Sequence, residues 1–250
     1  MNNDPNEILI TKNKFRNKSI LAFTIFIIFT AAAVFAWKKI NNASAVAGTP
    51  KPLRAVLDNN EKVFSSFFSD QHLAKTYPVS QAVKKVRVNG DIGLKSELDS
   101  AWRLHVVLNA GDTISLTLDD IKKLPKTELV YDFKCIEGWS QITHWSGVKF
   151  SDFLKKYDPA ASSEKYAGLV TPDKDYYVGI DMASMMHPQT LLCYEMNGKP
   201  LPLNQGYPLR LIIPVKYGIK HLKRIGTLFF SNERPPDYWY ERGYDYYSGL

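Results

Sequence analysis

No charged residue interrupts Ser19 to Trp37, SILAFTIFIIFTAAAVFAW, and lysines close the stretch at positions 18 and 38. A helix of that length spans a bilayer, so the pattern predicts a polar tail over residues 1–18 and a transmembrane anchor over 19–37. Ala43, Ala45 and Ala47 offer small residues of the kind that follow a signal peptide, but the apolar run is longer than a signal core, and an uncleaved anchor is the expected form. Lys12, Lys14, Arg16 and Lys18 precede the span, and Lys38, Lys39, Lys51 and Arg54 follow it, so charge does not orient it.

Residues 38–78 read as a linker followed by an amphipathic helix. The linker, NNASAVAGTPKP, is small, polar and broken by proline. Leu53, Val56, Leu57, Phe64, Phe67 and Phe68 then recur close to helical spacing, with Asn60 as the polar exception. Such a helix is expected to pack on its own domain; the alternative is that Phe64, Phe67 and Phe68 face a membrane or a redox partner.

Beyond Pro78 the pattern shortens to β-branched and aromatic runs parted by turn residues, which predicts an α+β domain over residues 79–250. Strands are expected at 102–108, 113–118, 128–135, 165–171 and 175–181. Short helices are expected at LDDIKKLP, at 150–157 with Ser151 as N-cap, and at 181–186. RLIIPV (210–215) and HLKRIGTLFF (221–230) read as a strand pair, with Pro214 at an edge or bulge. No internal repeat is present.

The formal net charge of +7 suits an anionic ligand, anionic lipid or nucleic acid, and with ample apolar and aromatic material for a core, nucleic acid is not the expected partner. Two cysteines, Cys135 and Cys193, exclude a disulfide-dense scaffold and a multi-cysteine metal centre. There is no GxGxxG, P-loop, HExxH, GxSxG or CxxC motif. The five histidines lack metal-ligand spacing, and Gly90, Gly93 and the Asn197-Gly198 pair read as turns.

Two segments can carry chemistry. In FKCIEGWSQITHWSGVKF (133–150), Cys135 ends an apolar strand, where a thiol can face a pocket, and His144 is the nearest base. That thiol reads as a buried small residue, a nucleophile or a soft-metal ligand. In 208–224, Arg210, Lys216, Lys220, Lys223 and Arg224 occur with His221 and no acid. Strand alternation turns some of these inward, and a bound phosphate is one group that would pair them; a solvated basic face is the other reading.

KCIEGWS, W-SGVKFSDFL, HPQTLLCYEMNGKPLPLNQGYPLRLIIPVKYGIKHLKRI and ERPPDYW, in that order, resemble the oxidoreductase molybdopterin-binding domain family of the sulfite oxidase fold. The branch most resembled includes the catalytic subunits of bacterial protein-methionine-sulfoxide reductases. The resemblance implies mixed sheets with short helices, and a molybdenum–molybdopterin cofactor whose single protein ligand to the metal is Cys135. It implies cofactor contacts from Asn89, Thr171, Gln205, Arg210, His221, Leu222 and Lys223. Gln205 departs from the Asn or His common in relatives.

The activity implied is two-electron oxygen-atom transfer. Relatives that oxidise sulfite carry arginines after the ligand cysteine; here Ile136, Glu137, Gly138 and Trp139 follow, and a negative Glu137 disfavours an anion. Reduction of a sulfoxide, of the methionine-sulfoxide type or smaller, is the expected direction, with sulfite-oxidase-like oxidation as the alternative. Trp139, His144 and Trp145 are candidates for the pocket wall, and the tyrosine-rich C-terminal tail for its cover. Without a CxxCH, any haem or flavin belongs to a separate electron-transfer subunit. The stretch after the cysteine leaves no room for an immunoglobulin-like dimerisation domain, so a monomer is expected. Exported relatives suggest an extracytoplasmic catalytic domain. Two further readings stand beside this one: an anion-binding module on the same fold, and a thiol enzyme using Cys135 with His144. Cys193 is expected in the core, unpaired with Cys135.

Overall fold

A computed structural model describes residues 11–96 and 101–250; the first ten residues of the expected polar tail lie outside them. The chain divides into two units, Met1–Arg54 and Ala55–Leu250.

In the first unit, α1 (Lys12–Asn41) contains the whole charge-free run, and none of its residues is buried. Residues expected to form a plain linker instead make a small hairpin, β1 (Ala45–Val46) with β2 (Thr49–Pro50). The Arg54 guanidinium donates to the Ala47 carbonyl of its turn at 2.7 Å. Arg54 lies in the first turn of α2 (Lys51–Phe67), most of which belongs to the second unit.

The second unit is α+β. Its chain order runs β3 (Leu104–Val107), β4 (Thr113–Leu116), α3 (Leu118–Lys122), β5 (Lys126–Lys134), β6 (Ser140–Lys149), α4 (Phe150–Tyr157), β7 (Tyr166–Val170), β8 (Tyr177–Asp181) and α5 (Met182–Met185). It ends with β9 (Leu191–Met196), β10 (Lys199–Pro200), β11 (Arg210–Ile212) and β12 (Thr227–Ser231). One sheet has the order β10-β9-β6-β5, with β11 also paired to β9; the other is β4-β3-β12-β7-β8. Every pairing is antiparallel except β12 with β3.

The first sheet buries both faces, and the period of two sorts its side chains. Val148, Leu192, Tyr194 and Leu211 join Leu104, Leu169 and Leu228 of the second sheet in the main core. Their neighbours Trp145, Leu191, Cys193 and Ile212 join Leu129 and Tyr131 in a second cluster on the opposite face. A bulge between Ser146 and Gly147 lets β6 approach β9 closely: a Cβ at Gly147 would stand 2.1 Å from the Leu192 carbonyl oxygen. α3 starts on a capping box, Thr117 accepting from the Asp120 amide at 3.0 Å and Asp120 accepting in return from Thr117.

Three sequence expectations need correction. Residues 210–215 and 221–230 do not form a strand pair: β11 joins β9 in the first sheet, while β12 lies in the second. The intervening 3-10 turn at Gly218–Lys220 and the left-handed Arg224 (φ 52°) redirect the chain between them. α4 begins at Phe150 after Lys149, without a side-chain cap, so Ser151 is not its N-cap. β6 and β9 are strands at the centre of the first sheet that the pattern did not predict.

Candidate active site

The second face of the first sheet also builds a cleft. Phe133 and Gln141 are register partners on β5 and β6, as are Tyr131 and Thr143, and Leu129 and Trp145. Alternation therefore carries Phe133, Gln141, Thr143 and Trp145 to one side. Cys135 follows β5 immediately, and its amide donates to the Trp139 carbonyl at 2.9 Å, closing a tight loop with Gly138 at φ 86°. The loop returns Trp139 to the same face. These side chains line a solvent-open cleft of about 950 Å³ with Arg87, Asn89, Gln205, Arg210, His221, Lys223, Trp239 and Tyr244.

Cys135 is buried and unpaired, and the Asn89 carboxamide donates to its Sγ at 3.3 Å. Arg210, on β11, is buried and lines the same cleft. Arg210 donates to the Gln205 carbonyl and Oε1 at 3.0 and 2.9 Å and lies 4.6 Å from the centre of the Trp145 ring. Its Nε is buried with no hydrogen-bond partner, and among the described residues no carboxylate pairs with it. Burial lowers its pKa to about 10. Lys223 donates to the carbonyls of Asn89, Gly90 and Asn204 at 2.7, 2.9 and 3.3 Å, and burial, reinforced by the Arg210 charge, lowers it to about 7. An uncompensated buried cation in a cleft favours an anionic occupant.

His221 reaches the cleft with its ring, but both ring nitrogens are committed to backbone: Nδ1 faces the Ile213 amide at 3.4 Å and Nε2 the Lys216 carbonyl at 3.1 Å. That pattern assigns a neutral imidazole protonated at Nε2, and burial first, then Arg210, lowers its pKa to about 3. It is a wall rather than a charge.

Not every residue singled out by motif position arrives here. Thr171 is buried outside the lining, where its Oγ1 donates to Asp173 at 2.6 Å and accepts from the Tyr176 amide at 3.1 Å, closing the β7–β8 connection. Leu222 lies in the main core, its amide and carbonyl both bonded within the chain. His144 points to the other face of β6, 3.3 Å from Glu128, so it is not placed to serve Cys135 as a base. Lys216 and Lys220 are buried against Asp181 (2.7 Å) and Asp237 (2.5 Å) and need no ligand. Trp139 and Trp145 line the cleft as expected, and Trp239 and Tyr244 of the aromatic tail join them. Arg87, Gln141 and Thr143 were missed; Arg87 stacks 4.7 Å over Trp139.

Residues 91–239 match the model of the oxidoreductase molybdopterin-binding domain, well over half of the chain. The chain belongs to this family. Its fold is accordingly of the sulfite oxidase type, and it is an enzyme that uses molybdenum–molybdopterin. It is 37% identical over 193 residues to the putative protein-methionine-sulfoxide reductase subunit YedZ1 of Azospira oryzae, covering 76% of this chain and 73% of that one. It is 33% identical to the protein-methionine-sulfoxide reductase catalytic subunit MsrP of Xanthomonas axonopodis over 57% of this chain and 48% of that one. It thus spans about half the length of that catalytic subunit. Among solved structures, the sulfane dehydrogenase SoxCD from Paracoccus pantotrophus aligns with a TM-score of 0.49 at 19% identity, covering 56% of this chain and 40% of that one.

The donor set fits the family's cofactor. A buried thiol of the soft type that suits a soft metal, a carboxamide hydrogen-bonded to it, and a buried arginine with an orphaned Nε open on one cleft.

Proposed function

We propose that this protein is a membrane-anchored oxidoreductase that reduces a neutral sulfoxide, of the methionine-sulfoxide type or smaller. The observation that carries it is the shared cleft of Cys135 and the unpaired Arg210. Cys135 would be the metal ligand, held by Asn89; Arg210, oriented by Gln205, and Lys223 would meet the anionic part of the pterin group. When bound, that cofactor supplies two-electron oxygen-atom transfer, refilled by single electrons.

The chain's own residues set what reaches it. Phe133 stacks on Trp139 at 6.0 Å, Arg87 covers the indole, and the indole N–H donates to Glu137 at 3.1 Å, so the mouth has a fixed aromatic wall. Trp239 and Tyr244 add further aromatic surface to the lining, which limits water there. Glu137 places a negative charge where sulfite would enter, which favours a neutral oxo-compound over an anion. Electrons would come from a haem- or flavin-bearing subunit. α1, charge-free across its centre, would anchor the chain with the catalytic domain outside the cytoplasm.

The deciding experiment compares molybdenum and pterin content of wild type and Cys135→Ser from a molybdenum-replete host, followed by turnover of methionine sulfoxide, dimethyl sulfoxide and sulfite with artificial redox partners. Stoichiometric metal in the wild type, an altered metal spectrum in the variant, and sulfoxide turnover exceeding sulfite turnover are expected. A folded wild type without metal overturns the ligand assignment; preferred sulfite turnover overturns the direction.

A further inference from the structure

α2 carries its polarity inside out. At 3.6 residues per turn, Asp58 and Glu61 share one side of the helix and Val56, Val63 and Phe67 the other. The acidic side faces the domain: Arg234 pairs with Asp58 at 3.2 Å and with Glu61, and the Tyr166 hydroxyl donates to Glu61 at 2.6 Å. Phe64 stacks on Tyr247 and Phe68 meets His187 edge-on, so these two aromatics lean toward the domain. Val56 (64% exposed), Val63 (42%) and Phe67 (74%) face outward. A helix at a water-facing surface has the reverse arrangement. Ion pairs fix the acidic side, so the apolar stripe cannot be rolled inward without leaving Arg234 unpaired.

The chain limits what can cover the stripe. Only residues 42–50 separate the end of α1 from the start of α2, and part of that connection is folded into the β1–β2 hairpin. Nine residues reach at most about 30 Å fully extended. If α1 spans a bilayer, α2 starts near the headgroups.

We propose that α2 lies in the interface of the bilayer that α1 crosses, with Val56, Val63 and Phe67 below headgroup level. The proposal rests on the anchor reading. It gives the catalytic domain a second membrane contact, which restricts its orientation relative to a membrane-borne electron donor.

The test uses the full chain reconstituted in phosphatidylcholine–phosphatidylglycerol vesicles, with a nitroxide introduced singly at Val63→Cys, Phe67→Cys, Lys155→Cys on the exposed side of α4, and Phe29→Cys within α1. The unsubstituted chain supplies the background from its two buried cysteines. Accessibility to oxygen and to a water-soluble nickel chelate is then compared. The expected result is an oxygen-to-nickel ratio at Val63 and Phe67 several-fold above that at Lys155, approaching that at Phe29. If Phe29 reports bilayer depth while Val63 and Phe67 match Lys155, the interfacial proposal fails and the anchor stands. If Phe29 also reports water, the anchor reading fails as well. Shielding of Phe67 from both probes would mean that protein covers the stripe, and would overturn the assignment to lipid.

Discussion

Asn89 and Cys135 meet through a hydrogen bond of 3.3 Å from the carboxamide to Sγ, although 46 residues separate them in the chain. The contact is backed on the other side, since the Asn89 carbonyl accepts from Lys223 at 2.7 Å. The carboxamide is therefore held from behind as it reaches the sulfur, the arrangement expected of a group that steadies a metal ligand. Removing such a supporting contact costs roughly 10–100-fold in metal affinity or activity. Asn89→Ala is expected to lose turnover in that range and to shift the sulfur-to-metal absorption band, with the thermal midpoint nearly unchanged. An unaltered band would detach Asn89 from the ligand.

Arg210 and Lys220 are both buried cations, but they answer to different partners. Lys220 has Asp237 at 2.5 Å; Arg210 has no carboxylate among the described residues, only the Gln205 oxygens, a distant carbonyl and the Trp145 ring. Breaking a buried ion pair costs about 3–5 kcal/mol, so Lys220→Met should lower the thermal midpoint by on the order of 10 °C. Arg210→Met removes an uncompensated charge and should leave the midpoint of the cofactor-free protein within about 4 °C of wild type, while abolishing molybdenum incorporation. Equal destabilisation with molybdenum retained would make Arg210 structural.

The distinction between those cations was not legible in the sequence. Asp181 and Asp237 lie on separate segments, and only the fold brings them to Lys216 and Lys220. The charge-free run of α1, the strands of the second sheet and the position of Cys135 at a strand end were readable because each depends on local pattern. β6 was not: one side of it meets the core and the other lines a partly polar cleft through Gln141 and Thr143, so the alternation of apolar and polar residues is lost. Arg87 and Asn89 sit in a stretch without regular hydrogen-bonded structure, which leaves no periodicity to read. Thr171 and Leu222, singled out by motif position, lie outside the cleft lining. One hydroxyl is spent on a turn and one side chain on the core.

His221 makes stability depend on pH. Folded, it stays neutral down to about 3, while the unfolded chain takes up the proton near 6.5. Between those values the unfolded state binds more protons, so the contribution is complete above pH 6.5 and declines as the pH falls toward 3. One such group gives a slope of about 1.4 kcal/mol per pH unit, or about 2 kcal/mol between pH 6.5 and pH 5. Urea unfolding of the cofactor-free protein at several pH values should show this slope in wild type. It should be smaller by that amount in His221→Gln, which can offer a donor and an acceptor but does not titrate. Identical slopes would place the acid sensitivity elsewhere.

Glu137 offers the sharpest separation of substrate charge from substrate shape. It is exposed at the cleft mouth and accepts from the Trp139 indole at 3.1 Å, so its charge is fixed beside the entrance without being buried. An exposed unit charge a few ångströms from an entering anion acts with about 1 kcal/mol at the dielectric of water, close to five-fold in binding. Glu137→Gln keeps an acceptor for the indole and removes only the charge. The KM for sulfite should fall about five-fold at low salt, with the difference shrinking as ionic strength rises, because exposed charges are screened. The KM for dimethyl sulfoxide should not move. A parallel change for both substrates would mean that Glu137 shapes the mouth rather than charging it, and discrimination against anions would then have to come from the aromatic wall.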